Sequence, residues 1–154
     1  MNQEDYNRRV LIKNTANHYV AFKAKITARD IVLTPMSKMP LEIAEILAQV
    51  YAGNMLFIGI DRRGSHAAIY IEDEATRIEC NFEDREMKTV QEIVDKQAIL
   101  DMFSIKTLAA FKKELPKKII TDIEKRLLRE IIANGEVNDL NKAKAAAEYL
   151  GINL

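Results

Sequence analysis

Residues 55–72, MLFIGIDRRGSHAAIYIE, decide how the chain is read. Two apolar runs rich in β-branched and aromatic residues, MLFIGI and HAAIYI, flank the polar stretch DRRGS. That arrangement predicts two strands joined by a turn, with Asp61, Arg62, Arg63 and Gly64 at the tip.

Upstream of it, 8–15, RRVLIKNT, reads as a strand running into a turn. In 19–26, YVAFKAKI, Val20, Phe22, Ala24 and Ile26 alternate with Lys23 and Lys25, the period of a half-buried strand. DIVLT, 30–34, predicts a third strand that Pro35 stops. Pro40 suits the first turn of a helix, because its missing N–H leaves nothing unpaired there. Leu41, Ala44, Leu47, Ala48 and Tyr51 recur at helical spacing, so a helix is expected over about 40–51, closed by Gly53.

Downstream, residues 72–87 are acidic, with RIECNF a candidate further strand. Thr89 and Glu92 form a T-x-x-E box, which predicts a helix from Val90 with Val90, Ile93, Val94 and Ala98 on one face. Ser104 is the expected cap of a helix over IKTLAAFKKEL that ends before Pro116. Ile119 to Ile132 carries the clearest amphipathic stripe, and Asn134-Gly135 ends it. Asn138 or Asp139 caps a last helix, LNKAKAAAEYL, which Gly151 terminates.

The expected fold is α+β: a small N-terminal antiparallel β-domain of about five strands with one helix, then a C-terminal bundle of short helices. The expected boundaries are 1–74 for the β-rich domain, 75–88 for an acidic connector and 89–154 for the helical domain. A hydrophobic fraction of 48% and a charged fraction of 30% suit a globular chain with a core. No apolar run approaches the roughly 20 residues that span a bilayer, and the polar start lacks a signal-peptide core. The single cysteine, Cys80, excludes an internal disulfide.

Net charge is zero but unevenly spread: +3 over residues 1–71, −6 over 72–101 and +3 over 102–154. An acidic belt between mildly basic parts suits protein surfaces better than nucleic acid, which calls for a markedly basic domain.

No catalytic or metal constellation emerges. Asp61, Ser65 and His66 share one turn, whereas a triad is assembled from separate elements around a pocket. His18, His66 and Cys80 lack ligand spacing, and the acidic residues lack the Gly-containing calcium pattern. Cys80 reads as an apolar filler or a passive surface thiol, with no basic neighbour in sequence to activate it. Lys112, Lys113, Lys117 and Lys118 around Pro116, with Lys142 and Lys144 beyond, allow an alternative reading as a nucleic-acid-contacting region. The last helix has no Arg for bidentate base recognition, and a basic flank at a helix end explains the lysines more simply.

The opening thus combines a strand ending in Asn14-Thr15, an alternating strand, IVLTP at 31–35 and PLEIAEILA at 40–48. The second half runs VDKQAILD at 94–101, FKKELPKKIITDIEKRLL at 111–128 and VNDLNKAKAAAEYLGINL at 137–154. This pattern resembles that of a group of tailed-bacteriophage proteins, from which it departs in lacking a P-G turn before the first helix. The resemblance covers most of the chain and implies a virion structural component, made in the bacterial cytoplasm and assembled onto the particle. It implies no active site and no cofactor. The partners it implies are other virion proteins, of the capsid or of the neck and tail, met in multiple copies. Asp61, Arg62, Arg63 and Gly64, the acidic belt and the polar N-terminal arm are the expected contact residues.

Overall fold

In the computed structural model, residues 2–86 and 91–153 are described. The chain divides into two compact units, Met1–Ile93 and Val94–Leu154. Together they make an α+β protein, with antiparallel sheets in the first unit and helices alone in the second.

The first unit is built on β1 (Arg9–Asn14), which lies between β4 (Lys38–Glu42) and β5 (Ile69–Ile71) in a three-stranded antiparallel sheet. Val10, Ile12 and Asn14 point inward while Arg9 and Leu11 are exposed, the alternation of a one-faced sheet. A separate two-stranded ribbon pairs β2 (Val20–Lys23) with β3 (Asp30–Leu33). Buried Asn14 ties the ribbon to the end of β1: its amide donates to the carbonyls of His18 (2.9 Å) and Thr34 (3.0 Å), and its Oδ1 accepts from Ala16 N–H (2.9 Å).

Pro40 does not start a helix. It lies in β4, opposite Leu11. Asn14 N–H donates to Ser37 O (2.8 Å) and Ile43 N–H to Arg8 O (2.9 Å) on either side, so the alternation leaves position 40 unbonded to β1. Its missing N–H therefore falls on the open edge of the sheet, where a proline protects against strand addition. Helix α2 begins only at Ile43 and runs to Tyr51, after α1 (Gln3–Tyr6) near the N-terminus. On its inner side, buried Glu45 accepts the amides of Lys25 (3.0 Å) and Ile26 (2.9 Å), so one carboxylate holds the turn between β2 and β3.

The predicted hairpin over 55–72 is not formed. Met55–Ile58 is a short helix, α3, capped by the Asn54 side chain, and Ile69–Ile71 pairs with β1 instead. A continuous apolar run does not by itself separate a strand from a buried helical turn; here the Asn54 cap and Gly59 at φ +66° bound the helix. The candidate strand RIECNF is not formed either: its first half, Arg77 to Glu79, lies in α4, which spans Glu74–Glu79 with Asp73 as its cap. Residues 75–86 thus belong to the first unit rather than to a separate connector, and the division of the chain falls at Ile93.

The second unit contains α5 (Lys96–Met102), α6 (Leu108–Lys118), α7 (Asp122–Ala133) and α8 (Leu140–Leu150). Thr89 and Val90, the expected start of α5, lie outside the described residues; residues 91–95 are not helical, and Asp95 caps α5. Thr107, not Ser104, caps α6, and this helix continues through Pro116. Thr121 and Glu124 form a full capping box on α7, whose Leu127, Leu128, Ile131 and Ile132 are buried. Asp139 caps α8 and Gly151, at φ +71°, ends it. The small residues Ala143, Ala146 and Ala147 of α8 are buried, and α8 packs against both α6 and α7.

Candidate functional site

Asp61, Arg62, Arg63 and Gly64 sit in the loop between α3 and β5, not at a hairpin tip. The loop is closed by hydrogen bonds from below. Gly64 N–H donates to Ile58 O (2.8 Å) and Ile60 N–H to Ser65 O (3.0 Å). Asp61 Oδ1 accepts the amides of Arg63 (2.8 Å) and Ser65 (3.1 Å), which makes Asp61 the organiser of the turn. Burial pushes the Asp61 carboxyl up, but the hydrogen bonds from Arg63 and Ser65 outweigh it and hold the group below its ordinary range.

The base of the loop requires two glycines. A Cβ on Gly59 would lie 1.9 Å from Ser65 O, and one on Gly64 would lie 2.8 Å from the Phe82 ring. Gln91 Nε2 donates to Gly64 O (3.3 Å), and Glu92 N–H donates to Ser65 Oγ (2.9 Å). His66 N–H donates to Glu92 O (2.7 Å). Ser65 and Asp61 are thus engaged in fixing the turn, the structural role that the sequence favoured over catalysis.

Arg62 and Arg63 are exposed on this base, and Arg63 Nε donates to Asn81 O (3.2 Å). Asn81, just after α4, was not marked by the sequence. Its only signal was that Asn is among the few residues that take the left-handed conformation readily, and it holds φ +65°.

The six lysines of the alternative reading do not form one surface of equals. Lys112, Lys113, Lys117 and Lys144 are exposed, and Lys117 lies 3.8 Å from Glu114. Lys118 is half-buried. Lys142 is 7% exposed, and its Nζ donates to the carbonyls of Phe103 (2.8 Å) and Ile105. It is therefore an internal cation serving the carbonyls after α5, not a contact for nucleic acid. Lys142→Ala is expected to cost about 1–3 kcal/mol by leaving those carbonyls without their donor. A urea midpoint equal to that of the unsubstituted protein would show that water replaces the lysine at no cost.

Cys80 is 6% exposed, which decides for the filler reading over the surface thiol. Burial, with Glu79 adding to it, pushes its thiol up to about 12. Native protein at pH 8 is expected to resist iodoacetamide, with alkylation only after denaturation; mass spectrometry of the native sample showing rapid modification would contradict this.

Among the described residues no group of three or more His, Cys, Asp or Glu is placed to hold a metal ion, and no helix is long and apolar enough to cross a membrane. The molecule is thus a small α+β protein whose first unit presents a pinned, arginine-bearing loop. No protein-family model, curated protein or solved structure matches the chain.

Proposed function

We propose that this protein is a non-enzymatic structural or assembly component of a bacteriophage virion, a capsid-surface auxiliary or head–tail neck subunit that acts through protein–protein contacts. The observation that carries the reading is the Asp61–Gly64 loop. Asp61, Arg62 and Arg63 form an exposed charged surface there, on a backbone held by the Asp61 carboxylate and by the tight turn that Gly59 and Gly64 permit. Exposed loops on a rigid scaffold are where contacts are commonly made, and a preformed loop loses little entropy when a partner docks.

Large apolar side chains are also exposed on the same unit, including Tyr19 (66%), Tyr51 (72%) and Met55 (59%). Aromatic and methionine side chains are enriched at protein interfaces. The contacts use side chains rather than strand addition along β4, because Pro40 interrupts the donors on that edge. Repetition over a particle lets each contact be weak while the assembly holds.

Quantitative mass spectrometry of density-purified particles, scaled to the major capsid protein, tests the reading. Hundreds of copies would indicate a capsid-surface subunit, and on the order of a dozen a symmetric neck ring. Absence from particles would overturn the proposal.

A further inference from the structure

Arg62, Arg63 and Asn81 line a shallow open cleft of about 400 Å³ in the first unit. Neither arginine pairs with a carboxylate among the described residues, although Asp61 directly precedes Arg62 in sequence. Asp61 instead turns its Oδ1 to the amides of Arg63 and Ser65. Arg63 is oriented by its Nε bond to Asn81 O, which leaves its terminal nitrogens directed elsewhere. Arg62 holds φ +63° and Asn81 φ +65°. Glycine takes that conformation without strain, so an arginine at position 62 carries a local conformational cost.

We propose that this cleft receives a carboxylate-bearing segment of a partner protein. The planar fork of a guanidinium matches the two oxygens of a carboxylate and forms charge-assisted hydrogen bonds with it, and this loop carries two such groups. The remaining charge favours an acidic peptide over a nucleic acid. Residues 1–93 hold twelve basic and fourteen acidic side chains, and Glu83, Asp84 and Glu86 follow Asn81 closely in sequence. A continuous phosphate backbone calls for a markedly basic surface, which this unit lacks, whereas a flexible acidic peptide can place single carboxylates on the two arginines. The inference rests on the loop being a contact surface, and it adds the chemistry of what the loop contacts.

The test is a titration of the isotope-labelled full chain with hexaglutamate at low salt, followed by backbone amide shifts. Inorganic phosphate and a short DNA duplex are separate arms. Saturable shifts at residues 61–65 and 81 with hexaglutamate, stronger than with either other probe, are the expected result. Arg62→Gly is expected to weaken that binding about tenfold, the scale of one lost charge-assisted hydrogen bond. It should leave the melting temperature unchanged or raised, because glycine relieves the left-handed strain. A purely structural role for Arg62 would instead lower the melting temperature.

No saturable shift, equal or tighter binding of phosphate or DNA, or unchanged affinity in Arg62→Gly would overturn the proposal. The particle measurement separates the two readings. A chain present in particles that ignores hexaglutamate refutes only the acidic partner. A chain absent from particles that binds hexaglutamate refutes only the virion role.

Discussion

Gly59→Ala is expected to remove about 4 kcal/mol or more of stability, placing it among the exceptional single substitutions. Two independent costs combine. Gly59 holds φ 66° and ψ −159°, a region that is essentially restricted to glycine and costs other residues about 1–3 kcal/mol. The added Cβ would also lie 1.9 Å from Ser65 O and 2.8 Å from Ser65 C, which are backbone atoms that no rotamer change can move. Relief requires opening the loop, with loss of the Ile60–Ser65 and Gly64–Ile58 hydrogen bonds. Against a typical total of about 5–15 kcal/mol, the variant is expected to lose a large part of its stability and to unfold at a much lower urea concentration. Gly135→Ala is the control: its φ is +65° but the space around it is open, so only the conformational cost remains. Urea denaturation followed by circular dichroism reads both. Equal midpoints for the two variants would show that the loop yields without resistance.

The second large effect is at Arg77 in α4. Its Nε donates to Glu83 Oε1 (2.7 Å), and its Nη1 donates to Ile71 O (2.9 Å) and Glu72 O (2.7 Å). The guanidinium also lies 5.3 Å from the centre of the Tyr70 ring. In this position it covers a carbonyl at the free edge of β5, the strand beside β1. The side chains of Arg77 and Glu83 are only 12% and 10% exposed, so the pair is largely withdrawn from water. Glu83 Oε2 is buried without a hydrogen bond among the described residues, which makes this carboxylate depend on its arginine. Arg77→Met is expected to cost about 3–5 kcal/mol, because it leaves a buried charge uncompensated. Glu83→Met on that background is expected to recover part of the loss, since removing both charges removes the desolvation cost. A double variant no more stable than Arg77→Met would place the whole effect in the two carbonyls rather than in the ion pair.

The helical half was largely legible from local chemistry. The stripe Ile119, Ile120, Ile123, Leu127, Leu128, Ile131 and Ile132 predicted α7; the helix begins only at Asp122, leaving Ile119 and Ile120 before it, and the structure buries Leu127, Leu128, Ile131 and Ile132. Asn138 or Asp139 and Gly151 marked the ends of α8, with Asp139 the actual cap, because an N-cap and a left-handed C-cap act within a few residues. The run 55–60 was not legible in the same way. MLFIGI has the composition of a strand, yet Asn54 caps it as a helical turn, and Phe57 and Ile58 are buried in that form. Pro40 misled for a related reason. Its ring suits both a first helical turn and an unbonded strand-edge position, and only the pairing of Arg9–Asn14 with Lys38–Glu42 chose between them.

For the candidate loop, sequence identified Arg62 and Arg63 as exposed cations beside a glycine, because charge and turn chemistry are local properties. It did not find Asn81, which is brought to Arg63 across 18 positions by α4 and the turn after it. It could not separate Lys142 from its neighbours either, since burial of one lysine in a basic stretch depends on which helix face meets the carbonyls of Phe103 and Ile105. By itself the sequence determined the α+β class, the apolar face of α7 and the ends of α8, which arise from periodicity and from bonds spanning a few residues. It misplaced the caps of α5 and α6 and put Tyr51, 72% exposed, on the inner face of α2. Only the tertiary structure decided the strand partners, the locked form of the 59–66 loop and the fate of each charge, because those depend on contacts between residues far apart in the chain.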